Sequence, residues 1–283
     1  VTWYADLHAH STFSDGTLTP EALVALAASR GVRALALTDH DTIAGYPEAA
    51  VAGAKQGVEI VCGVEITVWH TRELHLLAYF VDPADAALND LLVRRAQARR
   101  ERVREIAARL AQLGAPIDPD AILAACRDGN VGRPHVARAL VAAGHCATID
   151  EAFDRYLGRD GRAYVTATHL PIEDAIHTAH AAGGVVSLAH PGIEKVDDAV
   201  PALAELGLDA LEAHHPAHSY AETARYIGMC QLLGLQTTGG ADFHGHPGSA
   251  PPGAFGISSE GLAALRARRR SGPAPAAVLG SGP

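Results

Sequence analysis

Residues 3–42 read WYADLHAHSTFSDGTLTPEALVALAASRGVRALALTDHDT. A short apolar run from Trp3 to Leu7 predicts a strand, Glu21 to Arg30 a helix, and Ala34 to Thr38 a second strand. Thr19 followed by Pro20 is a good N-cap and first-turn pair, and Gly31 is suited to the position just past a helix end. Working outward, Ala44–Gln56 continues as a helix and Glu59–Val68 as a strand. This βαβαβ rhythm predicts a parallel sheet with helices outside it. ELHLLAYF, residues 73–80, adds a strand. The later half resumes with helix Ile172–Ala182, strand Val185–Ala189, strand Ala210–Ala213, helix Ala221–Leu233 and strand Gln236–Thr238, so a barrel-like closure is expected.

Between Asp82 and about His169 the strand signal disappears, and three or four helices are predicted, including a long arginine-rich one from about Ala84 to Leu113. The expected organisation is therefore a discontinuous barrel of residues 1–82 and 170–270, a helical insertion or cap at 83–169, and a Gly-, Pro- and Ala-rich tail at 271–283 that packs weakly.

The chain has 283 residues, 48% of them hydrophobic, enough for one substantial core. A formal net charge of −9 argues against a broad basic surface for duplex DNA, while leaving room for a local phosphate pocket. Cys62, Cys126, Cys146 and Cys230 are widely spaced and suggest neither a zinc knuckle nor a disulfide framework. No apolar run approaches the ~18 residues of a membrane span, and no leader pattern precedes the first strand, so a cytoplasmic protein without membrane contact is expected. Histidine is the anomaly: 16 of them accompany a single methionine, and imidazole is the commonest metal ligand.

In DLHAH, His8 and His10 stand two apart at the end of the first strand, where alternation points both to one face. Asp15 follows in the next loop, Asp39 and His40 close the second strand, and His190 ends VVSLAHP. Asp242 and His244 follow the last strand in TTGGADFHG. Glu65 is mid-strand in GVEIT, and His75 sits early in its strand. Most of this set therefore gathers at the C-terminal ends of the strands, the face on which α/β barrels build active sites. Six imidazoles and three carboxylates without sulfur suit two or three borderline-to-hard divalent cations such as Mn²⁺, Fe²⁺ or Zn²⁺. Glu65 is the candidate bridge between ions, and Asp41 is a candidate to orient His40 through its second nitrogen.

HAH, SDGTLTPEAL, TDHDT, GVEIT, AHP and DFHG together resemble the PHP (polymerase and histidinol phosphatase) family of the amidohydrolase superfamily, over about residues 4–247. The resemblance implies a distorted (β/α)7 barrel and a trinuclear metal site, with Mn²⁺ the leading candidate. By position, His8, His10, Glu65 and Asp242 would hold one ion, Asp15, His40 and His244 a second, and Glu65, His75 and His190 a third. The GRPH motif and arginine-rich helix of the insertion are most similar to the branch of 3′,5′-nucleoside bisphosphate phosphatases and 5′-to-3′ exoribonucleases. That branch implies hydrolysis of a 3′-phosphate from a nucleoside 3′,5′-bisphosphate, or action on short 5′-phosphorylated RNA, with a metal-bridging hydroxide as nucleophile.

The insertion points to phosphate on its own account. Val103, Ile106, Leu110 and Leu113 form one apolar stripe, which Arg99 and Arg102 continue. Those arginines offer forked donors to a phosphate, or else snorkel or pair with carboxylates. Arg133 and His135 begin the next helix, where free N–H groups attract anions. His215, in EAHHPAHSY, is a candidate proton donor or outer-sphere residue, whereas His214 and His218 read equally well as structural. Lys195 could reach substrate from its loop or simply be solvated. Competing readings are a histidinol-phosphate or other small-monoester phosphatase, and a non-catalytic metal- or nucleic-acid-binding module. Oligomeric state is not legible.

Overall fold

Seven strands line up in chain order: β1 (Ala5–Asp6), β2 (Ala34–Leu37), β3 (Glu59–Trp69), β4 (Glu73–Tyr79), β5 (Val185–Leu188), β6 (Ala210–His214) and β7 (Gln236–Gly239). The computed structural model describes residues 3–126 and 130–270, so the tail at 271–283 lies outside the described residues. The result is an α/β fold whose sheet curls into a nearly closed barrel. Leu7 N–H donates to the Gly239 carbonyl at 3.1 Å and His10 N–H to Phe243 at 2.9 Å, joining the first strand to the chain after the last. The buried Asp6 carboxylate accepts from His8, Ala241 and Gly253 N–H at 3.2, 3.1 and 2.8 Å. Burial pushes that carboxyl up to about 7 in spite of the three donors. The closure also needs Gly240, because a Cβ there would lie 2.3 Å from the His8 nitrogen.

Around the barrel stand α1 (Pro20–Ser29), capped by the Thr19 side chain, and α2 (Tyr46–Gln56). The insertion between β4 and β5 carries α3 (Ala86–Gln112), α4 (Pro119–Ala125), α5 (Arg133–Ala142), α6 (Ile149–Ala152) and a π-helical turn at Phe153–Leu157. The barrel resumes with α7 (Ile172–Ala181), the short α8 (Pro191–Glu194), α9 (Val200–Glu205), α10 (Tyr220–Leu233) and α11 (Ser259–Arg266). No helix among the described residues is long and apolar enough to cross a membrane.

The expectation of an all-parallel sheet needs one correction. β4 runs antiparallel to both β3 and β5. Only residues 70–72 separate β3 from β4, too few for the crossover of about a dozen residues that a parallel pair requires.

Alternation divides the strand residues between two environments. Ala34, Ala36, Val61, Leu77, Tyr79, Val185 and Ala210 pack inside, with Leu262 and Leu265 of α11. Cys62, Val64, Ile66, Leu74, Leu76, Ala78, Val186, Leu188 and Leu211 pack outward in a separate cluster that includes helix residues such as Ile176 and Tyr226. Glu65, His75 and Glu212 fall on the inward parity. The insertion has its own core, formed by Val103, Ile106, Leu110, Val136, Leu140, Tyr156 and Leu157 among others, so the stripe read from α3 is buried within the insertion.

Candidate metal centre and adjoining cleft

Strand lengths bring the scattered candidates together. β2 ends at Leu37, paired with Cys62 of β3, and β3 continues past it, so Glu65 rises beside His40 in an isolated parallel bridge. His75 comes early in β4, but β4 is antiparallel and its N-terminal end lies beside the C-terminal ends of its neighbours. The two residues that departed from the strand-end rule thus reach the same mouth.

Glu65 is the pivot of the cluster. Its Oε2 lies 3.3 Å from His8 Nε2, 3.2 Å from His10 Nε2 and 3.0 Å from His40 Nδ1. Its Oε1 lies 2.8 Å from His75 Nδ1 and 3.1 Å from His190 Nε2. Asp242 Oδ1 is a second anion for His8 and His10, 3.3 Å from each Nε2.

The far side of each ring shows which nitrogen is free. His8 Nδ1 faces Glu212 Oε1 at 3.0 Å, so it carries the proton and leaves the Nε2 lone pair turned toward Glu65 and Asp242. Ser14 donates to Asp39 at 2.6 Å and can therefore accept from His10 Nδ1 at 3.4 Å, which leaves His10 in the same tautomer. His244 Nδ1 donates to the Asp242 carbonyl at 2.9 Å and turns Nε2 to Asp15 Oδ1 at 3.2 Å. Imidazole lone pairs aimed at carboxylates repel unless a proton or a metal ion lies between them. His8 Nε2, His10 Nε2, His40 Nδ1, His75 Nδ1, His190 Nδ1 and Asp15 Oδ1 are buried without a hydrogen-bond partner. Buried polar atoms are seldom left so, and this donor set fits divalent metal.

Donor atoms of His8, His10 and Glu65 lie within 4.8 Å of one another, as do those of His10, Asp15, His40 and His244, and those of His40, Glu65 and His75. His10 and His40 are thus each shared between groups, a closer overlap than the three sets implied by resemblance. His190 joins through its contact with Glu65. Burial would raise the carboxyls of Glu65, Asp15 and Asp242, but the surrounding imidazoles hold all three well below their ordinary range. Burial brings His40 down to about 3, against the pull of Glu65 and Asp15. Burial works against the charged forms of His8, His10, His190 and His244 too, but the carboxylates raise His8 well above its ordinary value, raise His10 and His190, and bring His244 up to about 10. The carboxylates therefore stay charged, and those imidazoles carry protons that bound cations would replace. His190 and Asp242 hold positive φ angles of 28° and 48°, strain typical of functional positions.

A cleft of about 110 Å³ runs from this centre to the insertion, lined by Asp15, His40, Thr67, Glu73 and His75 on the barrel side and by Arg99, Arg102, Gly132, Arg133 and Phe153 on the other. The three arginines read from sequence all reach it, already paired. Arg99 Nε meets Asp41 at 2.6 Å, while Arg102 and Arg133 each lie 3.1 Å from Glu73. Arg95, one turn earlier on the same stripe, was missed; its Nε is 3.7 Å from Asp41. The pairing with carboxylates is the reading that these contacts bear out. Two guanidinium groups share each carboxylate, so the wall keeps an excess of positive charge.

Other placements differ from expectation. Asp41 does not orient His40; it accepts from Thr67 N–H at 2.8 Å and anchors Arg99. His135 turns Nδ1 back to accept from Gly132 N–H at 3.1 Å and is not among the cleft-lining residues. Lys195 closes α8 with φ 52° and lines a different pocket, with Asp197, Glu222 and Arg225. That left-handed turn ends the helix. His215 is buried; its Nδ1 accepts from Ala217 N–H at 3.1 Å, which puts the proton on Nε2, 3.4 Å from Asp242 Oδ2. His218 accepts from Gly192 N–H and lies 3.0 Å from the Ala213 carbonyl, a structural role. Glu212 was not foreseen. The available signal was a lone carboxylate inside the apolar run ALEA of β6.

A family model described as PHP domain matches residues 6–158. A 5′-3′ exoribonuclease of Salmonella typhimurium is 37% identical over 247 residues, covering 84% of this chain and 84% of that protein. A 3′,5′-nucleoside bisphosphate phosphatase of Chromobacterium violaceum is 33% identical over 273 residues, covering 87% of this chain and 92% of the relative. Among solved structures, a candidate metal-dependent phosphoesterase of Bifidobacterium adolescentis superimposes with a TM-score of 0.87 at 31% identity, covering 94% of this chain and 96% of that one.

Proposed function

The chain belongs to the PHP family and is a metal-dependent phosphoesterase, and on that premise we propose that it removes the 3′-phosphate of nucleoside 3′,5′-bisphosphates, leaving the 5′-monophosphate. The observation that carries the reading is the continuity of the cleft: orphaned metal-type donors at one end and a net-cationic arginine wall at the other. A substrate with two phosphates matches two charged subsites, one for the reacting group and one for the anchor.

His8, His10, Glu65 and Asp242 would hold one divalent ion, Asp15, His40 and His244 a second, and Glu65, His75 and His190 a third, with Mn²⁺ the ion that the family resemblance implies and Fe²⁺ or Zn²⁺ also compatible with a set of imidazoles and carboxylates. Ions bound there supply a nucleophile at neutral pH and neutralise phosphoryl charge. The remaining work falls to the chain. Arg99, Arg102 and Arg133 hold the non-reacting phosphate, for which planar forked donors are suited. Binding energy from that remote phosphate orients the reacting one. His215, which presents an Nε2 proton beside Asp242, would protonate the departing ribose oxygen.

Short 5′-phosphorylated RNA is the second reading, favoured by the exoribonuclease relative. The test is metal analysis followed by phosphate release from nucleoside 3′,5′-bisphosphates, histidinol phosphate and short 5′-phosphorylated RNA. The bisphosphate should give the highest kcat/KM. Preference for histidinol phosphate would overturn the substrate assignment, and metal content without turnover on any of the three would return the chain to a binding role.

A further inference from the structure

We propose that Glu212 is the positioning residue that holds the two sides of the metal centre in register. It is fully buried, and each of its oxygens serves a different flank of Glu65. Oε1 fixes the ring tautomer of His8, whose Nε2 faces Glu65 Oε2. Oε2 accepts the main-chain N–H of His190 at 2.8 Å, and the His190 ring faces Glu65 Oε1. One carboxylate thus ties an imidazole from β1's end to an imidazole from β5's end across the barrel.

The backbone gives Glu212 more to do at His190 than at an ordinary residue. His190 sits at φ 28°, a sparsely populated conformation for a non-glycine residue that persists only when its surroundings fix it. A charge-assisted bond to its N–H, together with the packing of Gly192 on the His218 ring, is what fixes it. β6 slips register between Glu212 and His214, and such an irregularity re-aims side chains.

Glu212 also lies within 4.8 Å of His8 and His215 donor atoms, as a ligand would. The hydrogen bonds decide against that role. Both oxygens already accept N–H groups, and His8 turns toward Glu212 the nitrogen that carries its proton.

Glu212→Gln is the discriminating change, because an amide has one acceptor oxygen and one NH₂, so either His8 Nδ1–H or His190 N–H would then face a donor. Wild type and variant, stripped of metal and dialysed against Mn²⁺, are compared by metal content, by Mn²⁺ titration and by thermal unfolding with and without Mn²⁺. The variant should fold without metal, bind Mn²⁺ about 10–100-fold more weakly and lose at least one equivalent of bound ion. Its upward shift in Tm on adding Mn²⁺ should shrink accordingly. Unchanged content and affinity would overturn the proposal, as would a lower metal-free Tm with an unchanged Mn²⁺ shift, which marks a purely structural carboxylate. Glu212→Asp, too short to reach both donors, should repeat the metal defect; if neither variant folds without metal, the positioning role is wrong. None of these readouts depends on substrate, so the nucleotide reading stands or falls separately.

Discussion

Two charged clusters face each other across one cleft and are built on opposite rules. On the barrel side, imidazole nitrogens and carboxylate oxygens converge, and five of the atoms turned on one another, from His8, His10, His40, His75 and Asp15, are buried without a hydrogen-bond partner. On the insertion side, Arg95, Arg99, Arg102 and Arg133 all lie against Asp41 or Glu73. The first arrangement makes sense only with cations added. The second stands without a ligand yet keeps surplus positive charge. Buried atoms without a hydrogen-bond partner occur at both ends, Glu73 Oε2, Arg95 Nε and Arg102 Nη2 among them, so it is the chemistry of the donors, imidazole lone pairs at one end and guanidinium N–H at the other, that separates metal from anion.

The largest break in that contrast should come from Glu65→Gln. The amide would point a donor at one imidazole pair, so metal content should fall and turnover drop about 10³-fold or more, several kcal/mol at ~1.4 kcal/mol per decade. Near-normal activity with full metal content would remove Glu65 from the pivot. His215→Asn should cost about 10²-fold in kcat on a nucleoside bisphosphate, whose leaving ribose oxygen needs a proton. On an aryl phosphate, which leaves without one, the loss should be slight. Equal losses on both would make His215 a support for Asp242 rather than a proton donor.

The barrel end was legible in the sequence because its donors occur in strand-end motifs, and a strand's periodicity fixes direction as well as face. Even Glu65 and His75, which broke the pattern, did so for reasons found in topology: one strand overruns its neighbour and the next runs backward. The short 70–72 connection was the available sign of that reversal. Glu212 escaped notice because a mid-strand carboxylate reads as solvent-facing until the barrel closes over it. The insertion was harder. Helical spacing put Arg99 and Arg102 on a buried stripe, but their partners Asp41 and Glu73 lie far away in sequence, and nothing local announces a pairing across 58 or 60 residues, the separations of Arg99–Asp41 and Arg133–Glu73. Lys195 shows the reverse case: it follows AHPG in sequence, yet it closes α8 in a left-handed turn and lines a different pocket.

A smaller effect separates the two ends by substrate. Replacing Arg99, Arg102 and Arg133 with lysine keeps the charge that Asp41 and Glu73 require but removes the forked geometry. KM for the bisphosphate should rise about 10–100-fold, the equivalent of 1.5–3 kcal/mol for a hydrogen bond to a charged group, while kcat on an aryl phosphate holds steady. If both substrates lose equally, the arginines serve only the fold.

The last expected effect falls on stability rather than turnover and reaches the insertion's attachment directly. Burial would raise the Glu73 carboxyl, but Arg133 and Arg102 overcome it and bring it down to about 2, from 4.5 for a free glutamate. Because the folded value is the lower one, the stabilisation is fully present above pH ~4.5 and is lost as pH falls through about 2. Its size is of order 3 kcal/mol at ~1.4 kcal/mol per unit. Urea unfolding of the protein and of Glu73→Gln should therefore differ most near neutrality and converge as pH falls from 5 toward 2. A gap that stays constant over that range would mean that shape rather than charge holds α3 and α5 against β4. The arginine wall would then not be held by the charge of Glu73, and the contrast between the two clusters would rest on the metal end alone.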